Sequence, residues 1–362
     1  MLSNRYFIIS FLLGSISLST GCLALEPANN ITAPISWNDL GATPQAGGSL
    51  CWDISLLGDQ PSWEQVKRDF GTGLIMKLDV ADAKEVGFKT YENPSGMPLE
   101  AELHLWHGGE NHRPVDIRFF AILDEQQLDI FPARQYYYDI TLATGREMSI
   151  PLAIPSLSSG IHDLVIFGIP YLNEFPDPEG TVKILNYRIT LVASPTTETF
   201  RQINFIELPA QGLLSRGAPK IPLMLGLSDN KLKAWNWPSR WLDIEADVVE
   251  FFVFSGYENT VNLDSPYLAE PHYSFFALTL FMDYRQINID ADVPVIYGKV
   301  GNDTAYASNV IKLNGLQRGM RHILAIKINY PGIPMCILHG PPYGRILPFG
   351  VDGILVGINA LK

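Results

Sequence analysis

A histidine-rich turn is the first group of residues in this sequence that could do chemistry. His104, His107, Glu110 and His112 surround the Gly108-Gly109 pair. Imidazole and carboxylate groups are ordinary zinc ligands. The surrounding pattern is that of a strand, in which His104 and His107 point to opposite faces, so the loop would have to turn them together. The alternative is a hydrated polar loop without a metal.

Acidic residues flank one predicted strand near the C-terminal third of the chain. They are Asp290, Asp292 and Asp303, together with Asn302. Calcium prefers clustered oxygen ligands, so calcium is the one cofactor that this group suggests, although the EF-hand spacing is missing. The alternative is a set of solvated turn acids, which would also discourage edge-to-edge association of sheets.

Three of the seven tryptophans fall within seven residues, at Trp235, Trp237 and Trp241. In an extended segment Trp235 and Trp237 share one face. A flat pair of indoles could stack on sugar rings, as in a carbohydrate-binding module. The alternative is that these large amphipathic side chains pack the connection between two domains.

Short catalytic motifs are missing from the sequence. It holds no Gly-x-Ser-x-Gly elbow, no His-Glu-x-x-His, no phosphate-binding Gly-x-x-x-x-Gly-Lys loop and no dinucleotide fingerprint. Paired acid and base carboxylates leave no short signature, so a hydrolase stays open as an alternative. We nevertheless expect a non-catalytic protein.

Composition indicates a folded, acidic protein. Apolar residues make up 47% of the chain and charged residues 18%, which is ample material for a core. The net charge is −12, and no cluster of Lys and Arg stands out. Nucleic acid binding requires neutralisation of phosphates, so we expect no nucleic-acid partner.

The N-terminus has the features of an export signal. Arg5 precedes an apolar, uncharged run from Tyr6 to Leu18, which is short for a membrane span and suits a signal peptide. The following Leu18-Ser19-Thr20-Gly21-Cys22 resembles the lipobox of bacterial lipoproteins, although Ser19 stands where that family has Leu. The resemblance implies acylation of Cys22 and attachment to a membrane facing the periplasm or the outside. Ordinary secretion after a cut near Ala24 and a retained anchor are the alternatives.

Two cysteines remain once Cys22 is lipidated or removed. Cys51 and Cys336 could form a disulfide in an exported protein and so tie the N-terminal segment to the end of the chain. The alternative is two separate buried thiols, because sequence does not show that the two sites lie within bridging distance.

A repeated pattern organises the body of the chain. Residues 124–130 align with 283–289 at an offset of 159, and the same offset relates 149–166 to 308–325. Glu110-Asn111 aligns with Glu258-Asn259 at an offset of 148, which places an eleven-residue insertion between Asn259 and Tyr284. Mostly the hydrophobic pattern repeats, which predicts two copies of one β-unit.

The elements that would position these residues are nearly all strands. Ser62 and Gln65 form a capping box, which predicts a short helix ending near Gly71. Alternation and turn signals predict strands over 73–81, 99–106, 115–123, 136–142, 147–154, 162–169, 183–192, 221–227, 248–255, 274–282, 293–300, 305–313, 322–329 and 353–361.

The sequence therefore predicts an all-β protein with two tandem immunoglobulin-like β-sandwich domains. The predicted segments are a signal peptide over 1–22, a tether over 23–50, a partly helical segment over 51–86, a first sandwich over 87–194, a joint over 195–245 and a second sandwich over 246–362. We expect an exported or surface-anchored lipoprotein that presents these domains to bind a protein or a glycan. The alternative is a carbohydrate-binding module or a carbohydrate-active enzyme.

Mass spectrometry of the mature N-terminus tests the anchor. We expect a chain that starts at Cys22 and carries acyl groups, and a Cys22→Ser variant that lacks them. An unmodified chain starting after Ala24 would contradict the lipoprotein assignment and support ordinary secretion.

Overall fold

The protein is built almost entirely of β-strands, so the all-β prediction is confirmed. The computed structural model describes residues 35, 51, 62–69, 73–93, 97–108, 113–170, 184–194, 196, 200–208, 223–227, 242–244, 248–254, 273–289, 292–301, 306–312, 317–338 and 350–360. The signal peptide with Cys22, most of the tether, and Trp235, Trp237 and Trp241 lie outside these residues.

Ten strands and one helix make up the first half. They are α1 (Trp63–Asp69), β1 (Leu74–Val80), β2 (Lys84–Gly87), β3 (Thr90–Asn93), β4 (Leu99–His107), β5 (Val115–Leu123), β6 (Gln126–Leu128), β7 (Tyr138–Leu142), β8 (Arg146–Ile154), β9 (Gly160–Pro170) and β10 (Leu185–Ala193). Sheet I has the order β1-β4-β8. Sheet II has the order β2-β3-β10-β9-β5-β6, and β7 also pairs with β5.

The second half repeats this arrangement. Its elements are β11 (Ile206–Glu207), β12 (Leu223–Leu227), β13 (Leu242–Ile244), β14 (Val248–Phe254), β15 (Tyr273–Met282), β16 (Arg285–Ile287), β17 (Val295–Gly301), β18 (Tyr306–Lys312), β19 (Gly319–Asn329), α2 (Met335–Leu338) and β20 (Val351–Ala360). Sheet III has the order β11-β17-β15-β19-β20-β13, with β16 also on β15. Sheet IV has the order β12-β14-β18.

The strand order of the two halves follows the offsets read from sequence. The first and last residues of β19 lie 159 positions after those of β9. An offset of 148 residues likewise places the counterpart of β4 at β14. The segment 255–272 before β15 is eleven residues longer than the segment 108–114 before β5. Both large sheets also contain an equivalent parallel pair, β3 with β10 and β13 with β20, and sheet III has a second one, β11 with β17. The immunoglobulin-like assignment and the domain limits stay predictions.

Sheets I and II pack into a sandwich. In β4 the buried and exposed positions alternate, with Leu103 and Leu105 fully buried and Glu102 exposed. These leucines join a cluster with Ile117 and Phe119 of β5 and further side chains of β8, β9 and β10. Alternation works because successive side chains of a strand point to opposite faces.

The other face of sheet II packs on sheet III. We call this contact the inter-sheet interface; its core contains Phe120, Ile122, Val165, Phe167 and Ile169 from sheet II and Ala277, Phe281, Leu324, Ile326 and Ile328 from sheet III. β5 and β9 are therefore covered on both faces. That is why their sequences run as nearly continuous apolar stretches rather than alternating with charge.

Equivalent glutamines join the halves across this interface. Gln127 and Gln286, which are 159 apart, each donate the backbone N–H to the other's side-chain oxygen, at 2.7 and 2.9 Å. Each side-chain nitrogen also donates to a backbone carbonyl of the other half, Tyr284 or Glu125, at 2.7 Å. The exchange is reciprocal, as in a contact between two copies related by a two-fold axis.

Two equivalent hairpin turns position these glutamines. Asp124 and Glu125 have φ of 49° and 62°, and Asp283 and Tyr284 have φ of 49° and 66°. Such values are uncommon for residues other than glycine. A carboxylate holds each turn, because Asp124 accepts the Asp163 N–H and Asp283 accepts the His322 N–H, both at 3.0 Å.

The N-terminal capping box is confirmed, and the helix ends two residues before Gly71. The Ser62 N–H donates to Gln65 Oε1 at 2.7 Å and the Gln65 N–H donates to Ser62 Oγ at 3.2 Å. β1, which the sequence placed in the preceding segment 51–86, pairs with β4 along its whole length and so belongs to sheet I. Within the described part of the chain, neither helix has the length and apolarity to cross a bilayer.

Cys51 and Cys336 form a disulfide, which joins the N-terminal segment to α2. Gly87 makes room for the bond, since a Cβ there would lie 2.6 Å from the Cβ of Cys336 and 2.8 Å from that of Cys51. Ile35, from the predicted tether, is buried in the same cluster. The chain before the first sandwich is thus fastened to the second half at two described positions.

Truncation of Phe120 tests the inter-sheet interface. Phe120 is fully buried and its ring centroid lies 4.9 Å from Phe167 and 5.1 Å from Phe281. Phe120→Ala should lower the free energy of unfolding by about 3–5 kcal/mol, measured by urea denaturation. Met97→Ala, at a residue that is 62% exposed, is the control and should change it by less than about 0.5 kcal/mol. Equal effects of the two variants would contradict this packing.

Candidate binding cleft

A cleft of about 460 Å³ lies at the rim of the inter-sheet interface. Its walls come from both halves: Asp116, Ile117 and Arg118 of β5, Asp139, Ile140 and Thr141 of β7, Tyr284 of the second hairpin turn, and His322 of β19. A volume of this size is typical of small-ligand sites. The strands hold these residues in fixed positions, since β7 pairs with β5 from Phe119↔Tyr138 to Val115↔Leu142.

Arg118 is the central charge of the cleft. Its Nε and Nη2 donate to the two carboxylate oxygens of Asp139 at 2.7 and 2.6 Å. The guanidinium also lies 4.1 Å from the ring centroid of Tyr137 and 4.5 Å from that of Tyr284. Burial lowers the pKa of Arg118, but the Asp139 carboxylate outweighs burial and raises it. The planar guanidinium is thus held in one orientation by Asp139 and the two tyrosine rings, and it forms one flat side of the cleft.

The other polar residues of the cleft are Asp116, Thr141 and His322. Asp116 accepts a hydrogen bond from the Thr141 hydroxyl at 2.5 Å. Two carboxylates, Asp116 and Asp139, therefore stand beside one guanidinium. Burial lowers the pKa of His322, which favours the neutral imidazole near pH 7. A group rich in hydroxyls, which both donate and accept hydrogen bonds, would complement such a surface.

Tyr284 contributes a buried hydroxyl. The residue is 3% exposed, and its hydroxyl finds no hydrogen-bond partner among the described residues. Burial raises the pKa of the phenol to about 12, so it stays protonated. A buried donor without a partner carries a desolvation cost of about 1–3 kcal/mol.

The equivalent region of the other half is filled by the chain itself. There Arg201, from the segment after β10, forms ion pairs with Asp124 and with Glu125, and the Tyr297 hydroxyl donates to Glu125 Oε2 at 2.7 Å. His162 bonds Asp124 at 2.6 Å. Burial raises the pKa of Glu125, whereas for Asp124 the hydrogen bond from His162 and the charge of Arg201 outweigh burial and lower the pKa.

The described residues among those singled out from sequence are not part of the cleft lining. His104 and His107 do point to opposite faces of β4, and His104 bonds Ser149 at 2.8 Å. His112, Glu110, Asp290, Asn302 and Asp303 fall outside the described residues, and Asp292 lies in an exposed turn. Among the described residues, no three His, Cys, Asp or Glu side chains are placed to hold a metal ion.

Sequence reasoning missed Arg118, Asp139 and Tyr284. One signal was available. On the outward face of β5 the residues change from Asp116 and Arg118 to Phe120 and Ile122, so that face is polar at one end and apolar at the other. Such a face is covered only in part. The rest of the cleft lining comes from Tyr284 and His322 of the second half, and the sequence of β5 could not predict this contact.

Comparison with known proteins leaves the family open. No family model matches the chain, and no curated protein matches it. The CARDB domain of a Pyrococcus furiosus protein, solved in complex with di-metal ions, is 12% identical over 33% of this chain and 92% of its own, with a TM-score of 0.21. The YadV chaperone is 13% identical over 78% of this chain and 100% of its own, also at 0.21. Red sea bream transglutaminase is 8% identical over 83% of this chain and 34% of its own, with a TM-score of 0.21. These scores carry no argument about fold or function.

Removing Arg201 tests the buried ion pairs. Arg201→Met leaves Glu125 and Asp124 without their cation and should lower the free energy of unfolding by about 3–5 kcal/mol at pH 7. The loss should shrink at pH 4. Glu125 has a raised pKa when folded, so its carboxylate weakens the fold only as pH rises above the pKa of the unfolded chain. Denaturation at both pH values measures this.

The exposed Arg146→Met is the matched control and should change the free energy of unfolding by less than about 0.5 kcal/mol at either pH. A loss for Arg201→Met that is the same at pH 4 and pH 7 would show that Glu125 does not carry the effect.

Proposed function

We propose that this protein is an exported, non-catalytic binding protein, attached to a bacterial membrane through an acylated Cys22. It presents two immunoglobulin-like sandwiches as one block, for adhesion or for binding a protein or glycan. The observation that carries the proposal is the cleft shared by both halves, where Arg118, Asp139 and Thr141 of one half meet Tyr284 and His322 of the other. Binding residues on rigid strands need little reordering when a ligand arrives.

The fastening of the halves supports presentation as one block. The buried Arg188 of β10 donates to the Asn329 and Tyr330 carbonyls of the second half at 2.6 and 2.8 Å, and to Asp163 at 3.0 Å. Asp163 in turn accepts the Gly332 N–H at 2.6 Å. These contacts add to the glutamine pair and the disulfide. The two halves that form the walls of the cleft are therefore held together by hydrogen bonds and one covalent bond.

Blocking the cleft tests the proposal. The purified mature chain would be screened against a glycan array and a peptide array. Thr141→Trp places an indole in the cleft, and we expect it to weaken the ligands found by about tenfold or more. The control is Glu100→Trp, at an exposed position on the outer face of sheet I. Ligands that bind both variants as tightly as the wild type would contradict a role for the cleft.

A further inference from the structure

A lysine lies beside two aromatic rings at the turn that joins β2 to β3. The Nζ of Lys89 is 3.8 Å from the ring centroid of Tyr187 on β10 and 5.6 Å from that of Phe88. Tyr187 packs on the core of the first sandwich, whereas Phe88 packs on the cluster around the disulfide. The amine is therefore bordered by side chains of two different apolar clusters.

The backbone of this turn is held in place on several sides. The carbonyl of Lys89 accepts the Thr190 N–H at 2.9 Å, and the backbone N–H of Lys89 donates to the Glu85 carboxylate. The next residue, Thr90, accepts the Cys336 N–H at 3.0 Å. Lys89 itself has a φ of 47°, a value uncommon for residues other than glycine. Its side chain thus starts from a fixed position beside the rings.

The Nζ of Lys89 has no anionic partner in the part of the chain that the structure describes. By contrast, Lys77 on the neighbouring β1 forms an ion pair with Asp79 at 2.7 Å. The Glu85 carboxylate meets the backbone of Lys89, and burial alone accounts for the shift in the pKa of the amine. Burial raises the pKa of the Tyr187 phenol to about 12, so that group is uncharged near pH 7.

These surroundings favour the uncharged amine. A partly buried ammonium loses hydration, and a carboxylate is needed to offset that loss. Because none does so, burial lowers the pKa of Lys89 to about 8. At pH 7 about a tenth of the Lys89 amines are then uncharged, against about 0.04% for a lysine with the ordinary pKa of about 10.4. Lys89 is also only partly buried, so small solutes can reach it.

From this geometry we propose that Lys89, as an uncharged amine, captures apolar aldehydes in a reversible covalent bond. The amine nitrogen adds to the carbonyl carbon, the two amine hydrogens leave with the carbonyl oxygen as water, and the C=N bond of an imine forms. An uncharged imine needs less hydration than an ammonium, so the rings that disfavour the ammonium favour the product. An apolar group on the aldehyde would pack against Tyr187 and Phe88.

This inference goes beyond the proposed function, because Lys89 is not part of the cleft lining. The reaction requires only an uncharged amine and an aldehyde, and no further catalytic group. The protein is changed and regenerated without turnover of the aldehyde, as expected of a non-catalytic protein.

Reductive trapping with benzaldehyde tests the site. The mature protein would be incubated with benzaldehyde at pH 7, imines would be reduced with cyanoborohydride, and modified lysines would be located by mass spectrometry. We expect modification of Lys89 to exceed that of Lys84, an exposed lysine of the same hairpin, by about tenfold or more. Equal modification of the two lysines would overturn the inference.

The pH dependence shows whether charge is the cause. An ammonium cannot attack a carbonyl, so the ratio of modification at Lys89 to that at Lys84 should be highest near pH 7 to 8. It should fall toward one above about pH 10, where ordinary lysines also lose their proton. A ratio that stays constant over this range would mean that accessibility alone selects Lys89, and the uncharged amine would be wrong.

Variants separate the amine from its surroundings. Lys89→Arg should abolish modification at this position, and Lys84→Arg should leave it unchanged. Tyr187→Glu places a carboxylate beside the amine, favours the ammonium and should lower modification of Lys89 about tenfold, while Tyr187→Phe keeps the ring and should stay within about threefold of wild type. Urea denaturation confirms that each variant is folded. Wild-type modification of a folded Tyr187→Glu variant would contradict the role of charge.

A polar aldehyde tests the ligand class. Glyceraldehyde, which carries hydroxyls instead of a ring, should modify Lys89 over Lys84 less selectively than benzaldehyde does. Equal or greater selectivity with glyceraldehyde would overturn the assignment to apolar aldehydes. Thr141→Trp, which blocks the cleft, should leave modification of Lys89 unchanged, so failure of the proposed function and failure of this inference give different results.

Discussion

The fold depends on burial of both faces of sheet II. Its central strands β5 and β9 give one set of side chains to the sandwich core and the other set to the inter-sheet interface. Burial of apolar area is the dominant favourable contribution to folding, so a sheet covered twice contributes twice per strand. The two halves are therefore not independent domains joined by a linker, because they share a core. Each supplies part of the other's core, and the cleft at the interface rim has walls from both.

Polar groups in the interface fix the way the halves meet. Arg188, Asp163 and Glu125 are buried, and each is paired across or beside the interface. Such groups add little net stability, because desolvation offsets their attraction. A shift of one half against the other would leave them buried without partners, at a cost of several kcal/mol each. The paired glutamines add the same constraint through four hydrogen bonds to neutral groups.

The likeness of the halves makes their differences informative. The equivalent hairpin turns keep the aspartate that holds the backbone, yet the next residue is Glu125 in one and Tyr284 in the other. One side of the interface rim is closed by Arg201 and β11. The other is walled by Arg118 and lines a cleft. The two copies thus keep the contacts that hold them together, and among the described residues they differ in the side chains at the interface rim.

The sequence by itself determined the elements and their repetition. Alternating and continuous apolar runs located the long strands, the capping box located α1, and the offsets of 159 and 148 anticipated the repeated strand order, because these signals are local or depend only on spacing. The sequence did not predict short strands such as β2, β6 and β11, since two to four residues carry little periodicity. The even number of remaining cysteines suggested a disulfide between Cys51 and Cys336, but the sequence could not distinguish it from two separate thiols. Only the tertiary structure brought together Arg118, Asp139 and Tyr284. An apolar strand face in the sequence indicates that another element covers it, but it does not indicate which element. Contacts between residues about 160 positions apart are set by how sheets pack, and no local pattern records that.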